Sequence, residues 1–244
     1  MSGIYETPAL LDQYLLFHYG SAADTMPAGL APLDPLPFPV RTVVENVPAR
    51  RFQRALDLGC AVGRSTFELS ALADEVIGLD FSHAFIDAAR RLQRGEILPY
   101  LRHEEGFLTT ALNACRPGHG HPERITFVQG DAMDLPSEWG GLDLVHAANL
   151  LCRLPEPTRL LTRLPSLVAP GGVLILTTPC TWLGEFTRPD RWPSGTTLDW
   201  LKEHLNGSFS LQAVRDQPFV IREHARKYQW SVAQASVWVR GTRG

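Results

Sequence analysis

The chain has 244 residues, 44% of them apolar and 20% charged, with a net charge of −3. That is the make-up of a soluble globular chain able to bury one full core, with no basic tail or charge run to draw it to nucleic acid or a membrane surface. No apolar run reaches the roughly 18 residues of a membrane span, and the opening "MSGIYETPALLDQYLLFHYG", with Glu6, Asp12 and no basic start, does not read as a signal peptide.

In chain order, Thr7-Pro8 reads as a helix start and Gly20 as its stop. Between them Leu10, Leu11, Tyr14, Leu15 and His18 recur at amphipathic helical spacing. Residues 21–39 are rich in Pro, Ala and Gly and read as a loop, followed by a short helix at 40–46. Residues 1–50 thus form a helical extension capping the substrate side. From residue 51 onward, strands are expected at 54–58, 75–80, 125–129, 142–149 and 172–178. Helices are expected at 64–72, 83–93, 159–168 and 198–205. Strands alternating with helices imply a mostly parallel sheet. Two last strands, 209–216 and 230–241, add an antiparallel hairpin. Residues 95–122 are too long for an ordinary connection and read as a lid or an extra substructure. Cys60, Cys115, Cys152 and Cys180 are scattered without a C-x-x-C pair. They read as small buried hydrophobes of a reduced, cytoplasmic protein without a disulfide framework or metal site.

The stretch "ALDLGCAVGRS" joins a strand, a glycine turn and a helix start. Gly59 and Gly63 let backbone pass close to a ligand, at the carboxyl end of a parallel strand, where such sheets bind ligands. A dinucleotide fingerprint needs G-x-G-x-x-G, but Ala61 stands where the middle glycine would be. Asp57 beside the turn also suits a cationic, amino-bearing ligand better than a phosphate. Asp80 ends the second strand, where a carboxylate can take both hydroxyls of a ribose. In "GDAMDLP" Asp131 is placed to accept from an adenine amino group, and the Ala132 N–H to donate to its ring.

This constellation resembles the class I S-adenosylmethionine-dependent methyltransferases over most of the chain from Arg54 to Arg240. The resemblance implies a Rossmann-like α/β fold with a seven-stranded, mostly parallel sheet. It implies S-adenosyl-L-methionine as cofactor, leaving as S-adenosyl-L-homocysteine. Carried over, Asp57, Gly59, Cys60, Ala61 and Gly63 hold the methionine part, and Asp80 with Phe81 and Ser82 the ribose and adenine. Asp131 and Ala132 read the adenine, and Asn149 lies by the sulfonium and the acceptor.

The acceptor is read from what surrounds that core. The N-terminal helix offers Tyr5, Tyr14, His18 and Tyr19. The connection after the fifth strand offers Trp182. "FVIREHARKYQWS" offers Arg222, Glu223, Arg226 and Tyr228. Arginines suit a carboxylate, Glu223 an ammonium or ring N–H, and aromatics a flat ring, so the set describes a zwitterionic amino acid with a heteroaromatic side chain. The same segments, with "AANLLCRLPEP" and "YETPALLDQYLLFHYG", look like the 5-thiohistidine (4-mercaptohistidine) N-methyltransferases of ovothiol biosynthesis. That resemblance implies ring-nitrogen methylation to give ovothiol A, in a stand-alone enzyme working after a sulfoxide synthase and a lyase. Glu223, His18 and Tyr19 are then the catalytic candidates, His18 as any base, with Arg222 or Arg226 holding the carboxylate. The same fold acting on another small acceptor is the alternative. A dinucleotide-dependent oxidoreductase is disfavoured by Ala61 and Asp57, and a non-catalytic binding module by the intact acidic constellation.

Overall fold

The computed structural model describes residues 3–26 and 37–242, so most of the expected loop at 21–39 lies outside the described residues. Thr7 caps the first helix, α1 (Pro8–Tyr19), by accepting from the Leu10 amide, Pro8 takes the first helical position, and the Gly20 amide closes on Leu16. The helix is not amphipathic. Leu15, Leu16 and His18 are buried, Tyr14 and Phe17 are half-buried, and apolar residues run round its later turns. It is wedged between other elements rather than laid on one surface. A single turn, α2 (Ala22–Thr25), and α3 (Phe38–Val44) complete the extension; α3 starts two residues before the expected site because Pro39 suits a first turn.

The sheet contains β1 (Phe52–Leu58), β2 (Ala73–Asp80), β5 (Ile125–Gln129), β6 (Leu142–Ala148), β7 (Val168–Thr178), β8 (Phe209–His224) and β9 (Lys227–Arg240). Its order is β5-β2-β1-β6-β7-β9-β8, and only β9 pairs antiparallel with its neighbours. The chain winds outward from β1 to one side and from β6 to the other, so the crevice for a ligand opens at the carboxyl ends of β1 and β6. Helices α4 (Arg64–Ser70) and α5 (His83–Gln93) cover one face with α1 and α3. Helices α6 (Pro157–Leu167) and α7 (Thr197–Leu205) cover the other. Each face has its own apolar core, one around Phe67, Phe85 and Phe127, the other around Leu164, Trp200 and Trp238.

Residues 95–122 form a separate two-stranded sheet, β3 (Leu98–Glu105) and β4 (Leu108–Ala114). The residues after 216, expected to be a polar loop, instead extend β8 to His224, leaving only Ala225 and Arg226 as the turn into β9. The charges there are spent on holding the two hairpins together. Arg222 reaches Glu104 at 2.5 Å and the Asp24 carbonyl at 3.3 Å, while Glu104 also accepts from Arg102 and Thr110. Burial pulls the Glu104 carboxyl up, but Thr110 and the two guanidiniums bring it below its ordinary range.

Gly63 ends the turn after β1 at φ +87°, and a Cβ there would lie 2.7 Å from the Phe127 ring. Gly63→Ala therefore combines a left-handed backbone with overpacking against a core aromatic. We expect a loss of about 2–4 kcal/mol in denaturant unfolding; a change below about 0.5 kcal/mol would contradict this geometry.

Candidate active site

The turn from Leu58 into α4 is built by positive φ at Gly59 (69°), Ala61 (48°) and Gly63 (87°). Ala61 occupies a conformation that costs a non-glycine residue energy. What holds it is its own amide, which donates to Asp80 Oδ2 at 2.9 Å. The other oxygen of Asp80 accepts from the Ser82 amide at 2.9 Å. One carboxylate thus ties the loop after β1 to the loop after β2. The amides of Gly59 and Cys60 both donate to the Leu79 carbonyl, at 2.8 and 3.0 Å, and fix the turn from its other side.

Behind the turn lies a second acid. Asp57 is 1% exposed and accepts from Ser65 (2.7 Å), Thr66 (2.6 Å) and His146 Nδ1 (2.7 Å), with His146 Nε2 3.1 Å from Thr42 Oγ1. Burial pulls this carboxyl up, yet the charge and hydrogen bond of His146 and the two hydroxyls bring it below its ordinary value. Asp80 goes the other way. Its burial, only partly countered by the Ser82 and Ala61 amides, raises it to about 6. Asp57 is saturated by its own fold, whereas Asp80 lines a cavity and keeps lone pairs directed there.

That cavity lies over the strand ends. Its floor is Gly59, Ala61, Leu79 and Asp80, with Phe81, Ser82, Gly130 and Ala132 along one side and Ala148, Asn149, Leu150 and Arg153 along the other. Asn149 sits at φ 54°, which asparagine tolerates, its side chain bonded to Thr177 at 3.2 Å. The roof is aromatic: Tyr5, Tyr14, Phe17, His18 and Phe38 come from the N-terminal extension, with Phe85, Phe219 and Ile221 beside them. The extension is fastened down at its start. Ser82 donates to the Tyr5 carbonyl at 2.9 Å, and the Glu6 carboxylate accepts from the His83 and Ala84 amides at the N-terminus of α5.

Of the residues expected to hold a cofactor, Gly59, Ala61, Asp80, Phe81, Ser82, Ala132 and Asn149 line this cavity. Asp57, Cys60, Gly63 and Asp131 do not. Asp57 is taken up by its buried network, Cys60 is buried, Gly63 packs on Phe127, and Asp131 accepts from the Met133 amide at 2.8 Å. Of the acceptor residues named from sequence, Tyr5, Tyr14, His18 and Asn149 reach it. Phe219 and Ile221 face the cavity, so the alternation of β8 turns Arg222 to the opposite side, where Glu104 holds it. Arg226 is exposed in the turn, and Glu223 is paired with Lys227 and Gln229, both at 2.6 Å. Tyr228 donates to the Ala225 carbonyl, Trp182 to Thr197 while packing edge-on against Trp200, and Tyr19 to the Val62 carbonyl at 2.7 Å.

Burial pushes His18 down to about 3, with Arg64 adding to this, so the ring is neutral at pH 7 and a weak base. Its Nδ1 is buried without a hydrogen-bond partner. No residue of the 95–122 insertion lines the cavity, so that hairpin is a strut and not its lid. Cys60 and Cys152 are buried as expected, but Cys115 and Cys180 are exposed, because they stand just past the ends of β4 and β7. Among the described residues no cluster fits a metal ion, and no helix is long and apolar enough to cross a membrane.

Residues 56–176 match the model of a family described as a methyltransferase domain. Over 143 residues the chain is 32% identical to the trans-aconitate 2-methyltransferase of Deinococcus radiodurans, covering 58% of this chain and 43% of that protein. Over 124 residues it is 27% identical to the demethylmenaquinone methyltransferase of Clavibacter sepedonicus, covering 51% and 40%. The chain thus spans less than half the length of these curated relatives. Among solved structures, the N-methyltransferase NodS from Bradyrhizobium japonicum WM9, in complex with S-adenosyl-l-homocysteine, superposes with a TM-score of 0.57 at 15% identity, covering 97% of this chain and all of that one. The [4+2]-cyclase SpnF superposes with 0.61 at 18% identity, covering 99% and 95%. At such identities the likeness is one of fold.

The raised Asp80 carboxyl sets a pH dependence. A ribose hydroxyl donates best to the ionised form, and Asp80 loses that form as pH falls through about 6. Affinity for S-adenosyl-L-homocysteine, measured by calorimetry, should be level above pH 7 and fall several-fold by pH 5, with Asp80→Asn weak and nearly flat throughout. A wild-type profile level down to pH 4.5 would remove Asp80 from the ribose.

Proposed function

We propose that this chain, which has the fold and matched domain of a class I S-adenosylmethionine-dependent methyltransferase, transfers a methyl group to a small-molecule acceptor carrying a flat ring. The cofactor half of the cavity fits that nucleoside. Asp80 offers free lone pairs for the ribose, Phe81 an exposed ring for the adenine, and the backbone of Gly59 and Ala61 a close approach for the amino-acid part. When bound, the cofactor supplies an electrophilic methyl group. The protein's own part is to bind, orient and keep water out, and orientation alone supplies about 7–11 kcal/mol in such displacements.

The observation that carries this reading is the aromatic roof facing the acidic floor. Tyr14 and Phe85 lie 4.6 Å apart by ring centroid, and His18 stacks on Tyr14 at 5.8 Å. This chamber suits a planar small-molecule acceptor. Among the described residues no strong base lines it. His18 is neutral, while burial raises both Tyr5 and Tyr14 above the ordinary phenol range. The acceptor therefore arrives with its lone pair available, and the unpartnered Nδ1 of His18 can accept an N–H from it and turn it toward the methyl group.

A small ring-bearing acceptor is the wide form of this reading, and 5-thiohistidine is the specific candidate within it. In its favour are a flat imidazole of suitable size and a thiolate that enriches the ring. Against the form read from sequence, Arg222, Glu223 and Arg226 lie outside the chamber. Of the acceptors in the relatives' names, demethylmenaquinone carries a ring while trans-aconitate is an acyclic tricarboxylate; together they favour another small acceptor over 5-thiohistidine, and methylation of trans-aconitate alone would end the ring-bearing form. Incubation with S-adenosylmethionine and a panel of 5-thiohistidine, histidine, trans-aconitate and a quinol, followed by mass spectrometry, tests both. We expect the gain of one methyl on at least one ring-bearing member, lost by 100-fold or more in Asp80→Ala. Methylation of another member with 5-thiohistidine untouched would end the specific candidate. Failure to bind S-adenosylmethionine at all would end the wide form.

A further inference from the structure

Arg153 belongs to none of the cofactor or acceptor assignments above, yet it lines the cavity. It ends a short 3₁₀ turn, Leu151–Arg153, directly after β6, beside Asn149 and Leu150. Its guanidinium is held on several sides. Nη1 donates to the Cys152 carbonyl at 3.3 Å and the Thr181 carbonyl at 3.1 Å, and touches Cys152 Sγ at 3.5 Å. The Phe186 ring lies 4.8 Å from its central carbon. A planar fork fixed in this way loses little freedom on binding a planar anion.

Two features make this an incomplete ion site. No carboxylate pairs with Arg153 among the described residues, although Arg41, Arg64, Arg102 and Arg222 each have one. The contacts, all made by Nη1, engage at most two of its five N–H groups. The charges lining the cavity complete the case. Among the described residues lining it, Asp80 contributes one negative and Arg153 one positive, while His18 is neutral and burial keeps Tyr5 and Tyr14 protonated. A bound sulfonium cofactor, whose amino-acid part is internally balanced, leaves the chamber one positive charge in excess. In an apolar enclosure that excess favours an acceptor bearing one anionic group.

We propose that Arg153 forms an anion subsite that takes a carboxylate of the acceptor and so fixes which end of the acceptor faces the cofactor. This rests on the methyltransferase reading for its ligand, not for its geometry. It gives the cavity the carboxylate grip that Arg222 and Arg226, on the far side of β8 and in the exposed turn, cannot supply.

The test is a calorimetric titration of protein loaded with S-adenosyl-L-homocysteine. The probes are 5-thiohistidine and trans-aconitate, each beside the counterpart with its carboxylates masked, the carboxamide or the trimethyl ester. In the wild type at least one acid should bind ten-fold or more tightly than its masked form. In Arg153→Gln that preference should fall below two-fold, with affinity for S-adenosyl-L-homocysteine within two-fold of wild type, and Arg153→Lys should keep part of it. Should Arg153→Gln fail to fold, Arg153→Lys carries the test through a ten-fold weaker grip on the acid at unchanged grip on the cofactor. Absence of any acid preference in the wild type would overturn the proposal. So would loss of cofactor affinity in place of acid preference, which would assign Arg153 to the cofactor's own carboxylate. An intact acid preference without methylation of any panel member would sink the reaction and leave the subsite standing.

Discussion

One carboxylate, Asp80, ends β2 and accepts from two backbone amides that belong to different loops, Ala61 and Ser82. Everything at the strand ends depends on that bridge. It stabilises the left-handed backbone of Ala61, sets the separation of the loops after β1 and β2, and keeps an anion at the cavity floor. The cost is desolvation, visible in a carboxyl raised to about 6. Asp57, two residues before the glycine turn, is treated oppositely, saturated by Ser65, Thr66 and His146 and brought below its ordinary value. Two acids at neighbouring strand ends are thereby given separate places, one to hold the turn from behind and one to line the cavity.

The N-terminal extension turns an open crevice into a chamber. Glu6 caps α5, Ser82 binds the Tyr5 carbonyl, and α1 brings Tyr14, Phe17 and His18 over the cavity. The C-terminal polar stretch has a structural task. Through Arg222, Glu104, Arg102 and Asp24 it fastens the β8–β9 turn to the inserted hairpin and to α2, so the roof rests on a fixed support. Breaking one partner of such a half-buried network leaves an uncompensated charge, so replacing any member should loosen the two hairpins whether or not it touches a ligand.

Strand and helix periodicity made the parallel sheet legible, together with both ends of α1, the span of α5 and the bounds of β5. These elements are decided by local pattern and capping. The floor of the cavity was legible because a glycine turn and an acid at the next strand end are local signals. The roof was legible only in part. Arg222 and Ile221 are adjacent in sequence but lie on opposite faces of a strand, and reading residues 219–224 as a loop hid that alternation. Asp57 shows the same limit: its partners His146 and Thr42 are distant in sequence, so its saturation is a tertiary fact. Arg153 stood inside "AANLLCRLPEP" without a role, and its position one short turn past β6, at the point where the strand order reverses, was the signal available.

If the Asp80 bridge organises the site, a crystal structure of the protein with S-adenosyl-L-homocysteine tests it most directly. The account requires both ribose hydroxyls within 2.6–3.2 Å of the Asp80 carboxylate, with the Ala61 and Ser82 amides still bonded to it. A nucleoside seated elsewhere, or an Asp80 carboxylate holding those two amides and no sugar hydroxyl, would contradict it.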